Sequence, residues 1–137
     1  VRLRVVAVGK PRLAYARLGV EEYAHRIRRY APLEVQFVKE AKDLLPQAEG
    51  HRRVVLDERG RLFTTEGLLQ ELRRFEGERV AFLVGGAEGY PEGVRERAHL
   101  LLSLSPLTLQ HELALLVLME QLYRILTLRA GHPYHRP

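Results

Sequence analysis

Arg79-Val80-Ala81-Phe82-Leu83-Val84-Gly85-Gly86-Ala87-Glu88-Gly89 decides the fold. Val80 to Val84 are apolar without a break, so this segment reads as a strand buried on both faces. The glycines follow at once, and Pro91 then suits the first position of a helix over 91–98. A strand covered on both faces needs helices above and below it, which points to an α/β layer structure.

Working back towards the N-terminus, the pattern predicts strands over 53–57, 33–38 and 3–8. A polar Glu58-Arg59-Gly60 turn closes the first of these. Thr64 or Thr65 caps a helix that runs to Phe75, with Leu68, Leu69 and Leu72 on one face. Leu13, Leu18, Val20, Ala24 and Ile27 mark a second amphipathic helix ending at Tyr30, before Pro32. Residues 39–52, with Pro46 and Gly50, form a polar connection with room for one helical turn. Working forward, a strand over 100–104, a loop to His111 and a long helix over 112–130 follow, with Gly131 as its stop. Strand and helix alternate throughout. The expectation is a single α/β domain over 1–137, with a mainly parallel sheet and helices on both faces.

Composition narrows the chemistry. The chain has 137 residues and is 46% hydrophobic, enough for one core. With no Cys there is no disulfide framework, no thiolate metal site and no Cys nucleophile. No apolar run approaches the roughly 18 residues of a membrane span. Val1-Arg2-Leu3-Arg4 is charged and alternating, unlike a signal peptide. A cytoplasmic protein is expected. The absence of Asn and the single Met point to a heat-adapted source.

The net charge of +5 is uneven. Residues 1–30 carry +6, residues 31–120 carry −4 and residues 121–137 carry +3. Basic ends suit a polyanion, and Arg suits RNA because its planar fork binds phosphate and stacks on bases. In the last helix, Leu113 to Met119 are consecutive and apolar. A sheet covers only one side of such a helix, so a second copy of the chain is expected on the other.

Three stretches could carry chemistry. The glycine loop lets backbone N–H groups approach a ligand, although its spacing fits neither a Walker loop nor a dinucleotide fingerprint. A tight turn satisfies it as well. Leu104-Ser105-Pro106-Leu107-Thr108-Leu109 sets hydroxyls among leucines, which suits an adenosine or equally a turn ahead of the last helix. The tail His132-Pro133-Tyr134-His135-Arg136 offers imidazoles for proton transfer and groups for phosphate and base. His111 is a further imidazole at a helix start. No carboxylate lies near His132 and His135 in sequence, so no metal is expected.

Together these segments, with Glu120-Gln121-Leu122-Tyr123-Arg124, Val5-Val6-Ala7-Val8-Gly9-Lys10, Glu22-Tyr23 and Val55-Leu56-Asp57, closely resemble the ribosomal large subunit methyltransferase H family. These are small bacterial SPOUT (trefoil-knotted) methyltransferases. The resemblance covers nearly the whole chain, with 39–52 shorter than the family's usual connection. It implies a C-terminal trefoil knot, a homodimer and S-adenosylmethionine as cofactor. It also implies methylation of N3 of a pseudouridine in 23S rRNA of the assembled ribosome. By the same resemblance Leu56, Gly85, Gly86 and Leu104 through Leu109 (Leu104, Ser105, Pro106, Leu107, Thr108, Leu109) surround the cofactor. Tyr134, His135, Arg136, Arg124 and His111 then face the RNA, with His135 as proton acceptor or its orienter. Two other classes compete on the residues alone. A non-catalytic RNA-binding module for ribosome assembly explains the charge, and a nucleotide-binding oxidoreductase explains the glycines.

Overall fold

The computed structural model describes residues 2–137; Val1 of the N-terminal reading lies outside them. Five strands form one parallel sheet: β1 (Arg2–Val8), β2 (Leu33–Val38), β3 (Arg52–Leu62), β4 (Arg79–Val84) and β5 (Leu100–Ser103). Their order across the sheet is β2-β1-β4-β3-β5. The helices are α1 (Ala14–Ile27), α2 (Leu44–Gln47), α3 (Thr65–Leu72) and α4 (His111–Arg129). A 3-10 turn, Ala41–Asp43, leads into α2, and another, Arg73–Phe75, extends α3.

Period-2 alternation assigns the two faces of the sheet. Leu3, Val5 and Ala7 of β1, Val54 and Leu56 of β3, and Val80, Phe82 and Val84 of β4 pack on one face beneath α1, α3 and α4. Val6, Val55, Ala81 and Leu83 point the other way, onto Leu44, Ala48 and Val94. The second face is therefore covered by the short α2 and by an irregular segment rather than by long helices.

That segment departs from expectation. Residues 91–98 form successive turns, not a helix. Gly93 adopts φ +96°, which no right-handed helix can contain. Its N–H goes to the Glu96 side chain at 2.8 Å. The expected turn at 58–60 is also replaced. A bulge between Leu56 and Arg61 lets β3 rejoin β5, pairing Arg61 with Leu102 and Leu62 with Ser103.

The long helix α4 divides in two. From Leu118 to Thr127 it is largely buried within the chain, so intramolecular packing covers this half. Nearer its start, Leu113, Leu116 and Val117 are only half-buried. Glu112 ties that start to α1, accepting the N–H groups of Arg12 and Leu13 at 2.9 Å each.

Candidate active site

The carboxyl ends of β3, β4 and β5 lie together, where parallel sheets bind ligands. A cavity of about 470 Å³ opens there, a size typical of small-molecule sites. Leu56, Val84, Leu102, Leu104 and Leu109 give it an apolar wall. Gly85 and Gly86 expose backbone along it, and Asp57, Glu58, Arg95 and His111 add polar groups. Ser105, Leu107 and Thr108 complete the rim, whereas Pro106 is exposed and is not part of the wall.

The 104–109 loop is held by its own hydroxyls. Ser103 donates to the Ser105 carbonyl at 3.0 Å, and Ser105 Oγ accepts the Leu107 N–H at 2.9 Å. Thr108 reaches across the mouth to Glu58 at 3.3 Å. The cap of α4 is Gln110, whose Oε1 accepts from the N–H groups of Glu112 and Leu113. The turn reading and the cavity reading of this loop are thus both present in one structure.

The glycine loop is likewise a tight turn, closed by the Gly89 N–H on the Gly86 carbonyl at 3.1 Å. It folds Tyr90 back beneath the cavity. The Tyr90 hydroxyl accepts the Gly85 N–H at 3.0 Å and donates to the Leu56 carbonyl, with the Leu83 carbonyl 3.1 Å away. Burial pushes the phenol above its ordinary range, so it stays protonated. A Cβ on Gly85 would stand 3.1 Å from Cζ of this ring, a tight approach to which the ring would have to yield.

Asp57 is buried, ion-paired with Arg95, and accepts the Arg59 N–H at 3.1 Å. Burial works to raise its carboxyl. The Arg59 amide and the Arg95 guanidinium outweigh that and hold it below the usual range. Tyr90 and Arg95 were not anticipated from sequence, and Asp57 was noted only within a family motif. An acid directly after the apolar run Val54-Val55-Leu56 is the one sequence signal for Asp57, because a carboxylate in that position needs a partner.

The tail forms a second cluster. Glu120 Oε2 accepts from Arg124 at 2.7 and 3.1 Å and from the Tyr134 hydroxyl at 2.9 Å. Arg124 also lies over the Tyr134 ring, 4.8 Å from its centroid. His135 Nδ1 is 3.2 Å from Arg124 and Nε2 is 3.2 Å from Glu66. A guanidinium only donates, so Nδ1 accepts and Nε2 carries the hydrogen given to Glu66. Arg136 is exposed. The structure therefore gathers Arg124, Tyr134 and His135 and leaves His111 at the cavity. Ala114 lines the cavity and Arg124 holds the tail. They are separated along α4 by about 15 Å, at 1.5 Å per residue. No group of three or more His, Asp or Glu side chains able to hold a metal gathers among the described residues.

A family model described as "Predicted SPOUT methyltransferase" matches residues 1–135. The chain belongs to the SPOUT methyltransferase family. Two Thermus thermophilus proteins named "Ribosomal RNA large subunit methyltransferase H" are 80% identical to it over 137 residues, covering both chains completely. A protein of the same name from Deinococcus radiodurans is 43% identical, with 99% of each chain covered. Among solved structures, the tRNA (m1G37) methyltransferase of Aquifex aeolicus shares the fold at TM-score 0.60 and 15% identity, covering 99% of this chain and 77% of that one. A Legionella pneumophila methyltransferase solved with SAM bound aligns at TM-score 0.54 and 11% identity, covering 90% and 66%. This SPOUT methyltransferase also exposes large apolar side chains near its cavity and on α1, namely Leu107 (74%), Leu18 (59%) and Tyr15 (49%).

Proposed function

We propose that this SPOUT methyltransferase transfers a methyl group from S-adenosylmethionine to N3 of a pseudouridine in 23S rRNA, on the assembled ribosome and in the cytoplasm. The observation that carries the reading is full-length identity of 80% to proteins named as large-subunit rRNA methyltransferases. The cavity fits the cofactor. Its volume of about 470 Å³, its leucine walls and its bare Gly85–Gly86 backbone suit a nucleoside with an aliphatic arm. Leu56, Gly85, Gly86 and the 104–109 loop would hold it, with Pro106 shaping the loop from outside. When bound, S-adenosylmethionine supplies an activated methyl group on a sulfonium.

The chain's own task is to deprotonate and orient. N3 of pseudouridine is an imide nitrogen and must shed its proton as the N–C bond forms. His135 is proposed to take that proton or to orient the ring, while Arg124 and Arg136 hold phosphate and offset charge on the flanking carbonyls. Tyr134 anchors the tail against α4, and His111 contacts the RNA from the cavity side.

Within one chain none of Arg124, Tyr134 and His135 lines the cavity, and Arg124 stands about 15 Å along α4 from Ala114 on its wall. A homodimer resolves this. A second copy seated on the α1–α4 face would bring its tail to the first copy's cavity and cover the exposed leucines. The C-terminal trefoil knot belongs to the same reading. Calorimetry with S-adenosylmethionine, followed by mass mapping of 23S rRNA from a strain lacking the protein, tests it. Micromolar binding and loss of one methyl group from a pseudouridine are expected. An unchanged methylation map would overturn the assignment.

A further inference from the structure

We infer that Tyr90 is a positioning residue for the cofactor: its hydroxyl is a spacer between β3 and β4 that sets the floor of the cavity. The inference rests on the cofactor reading above and extends it to a residue outside the expected set.

The argument begins with the ladder. β3 and β4 pair in register from Arg52↔Val80 to Val55↔Leu83, and there the pairing ends. The next rung in line would run from the Gly85 N–H to the Leu56 carbonyl, and both groups reach the Tyr90 hydroxyl instead. Buried backbone groups need partners. The Tyr90 hydroxyl supplies both, accepting from Gly85 at 3.0 Å and donating to Leu56. It takes the place of one rung of the sheet with a longer one.

Both of these residues line the cavity. Their separation is therefore fixed by a side-chain oxygen before any ligand arrives. The ring is packed between Gly85 and the Arg95 guanidinium, which lies 5.5 Å from its centroid. Asp57 holds Arg95 in turn. Without the hydroxyl, Leu56 and Gly85 must either close on each other or turn to water from the cavity. Either outcome changes the floor against which the cofactor rests, while the strands below stay paired.

Tyr90→Phe removes only the oxygen. For this variant the Kd for S-adenosylmethionine by calorimetry should rise about 10-fold, the scale of losing a buried hydrogen-bond partner. The KM for the cofactor should rise in parallel, with kcat at saturating cofactor and the KM for rRNA unchanged. In the free wild-type protein the Gly85 amide should be protected from hydrogen exchange, and Tyr90→Phe should release that protection selectively. A merely structural role would lower the melting temperature and leave cofactor affinity unaltered. Wild-type binding matched by Tyr90→Phe overturns this inference and spares the cofactor reading. Rapid exchange of Gly85 in the free wild type overturns it without any variant. A wild-type protein that ignores S-adenosylmethionine overturns both.

Discussion

Asp57 and Arg95 show how one residue pair supports the cavity from below. The Asp57 side chain is 4% exposed and that of Arg95 is 42%. Arg95→Ala strands a carboxylate under the pocket and should destabilise by about 2 kcal/mol in urea titrations, less than for a fully buried pair because Arg95 meets water. Asp57 and Glu120 both have carboxyls held below their ordinary values. Each favours folding fully above the unfolded carboxylate range of about 4. That contribution is lost as pH falls through the lower folded value. Stability by urea midpoint should therefore stay level from pH 7 to 5 and drop in more acid solution. Asp57→Asn should flatten part of the drop. At His135 both ring nitrogens are engaged, so proton capture requires Nδ1 to turn away from Arg124. His135→Ala should slow single-turnover methylation about 100-fold or more. A defect confined to RNA affinity would leave the residue as a tail anchor only.

At the scale of elements, the starts of α3 and α4 depend on side-chain caps. Thr64 accepts the Gly67 N–H at 3.0 Å, and Gln110 accepts two N–H groups at the start of α4. Thr64→Ala should cost about 1 kcal/mol by chemical denaturation. A cap at Thr64 or Thr65 was readable in advance, since a hydroxyl precedes Leu68, Leu69 and Leu72, and the structure selects Thr64. The strands and the three longer helices were equally legible, because burial on one or both faces writes its period into the residues. Residues 91–98 were not. Pro91 fits a helix start, but Gly93 and Glu96 settle the matter through a local bond that no periodicity records. The extension of β3 was hidden for another reason. Its last residues pair with β5, and only the order of strands brings Arg61 to Leu102. The leucine and glycine wall of the cavity was visible as two loops. Its floor was not, because Asp57 and Arg95 lie 38 positions apart and meet only once the sheet has formed.

For the whole molecule, the exposed Leu18 on α1 and the half-buried Leu113 and Leu116 on α4 make the proposed dimer testable. Leu18→Glu should sediment as a folded monomer and lose methylation, with its far-ultraviolet dichroism unchanged. The basic ends should make ribosome binding weaken steeply as salt rises. With no Asn and a single Met in the chain, a thermal midpoint above about 60 °C is expected, beyond most mesophile domains. The arrangement of strands also bears on synthesis. β1 is the first strand made, yet it lies between β2 and β4. Its second neighbour is not available until residue 84 has been translated, and β5 closes the far edge later still. A nascent fragment ending near residue 75 therefore carries a strand with one bare, apolar flank, the kind of edge that invites aggregation. The protein can become native only when nearly all of its chain has been released from the particle that made it.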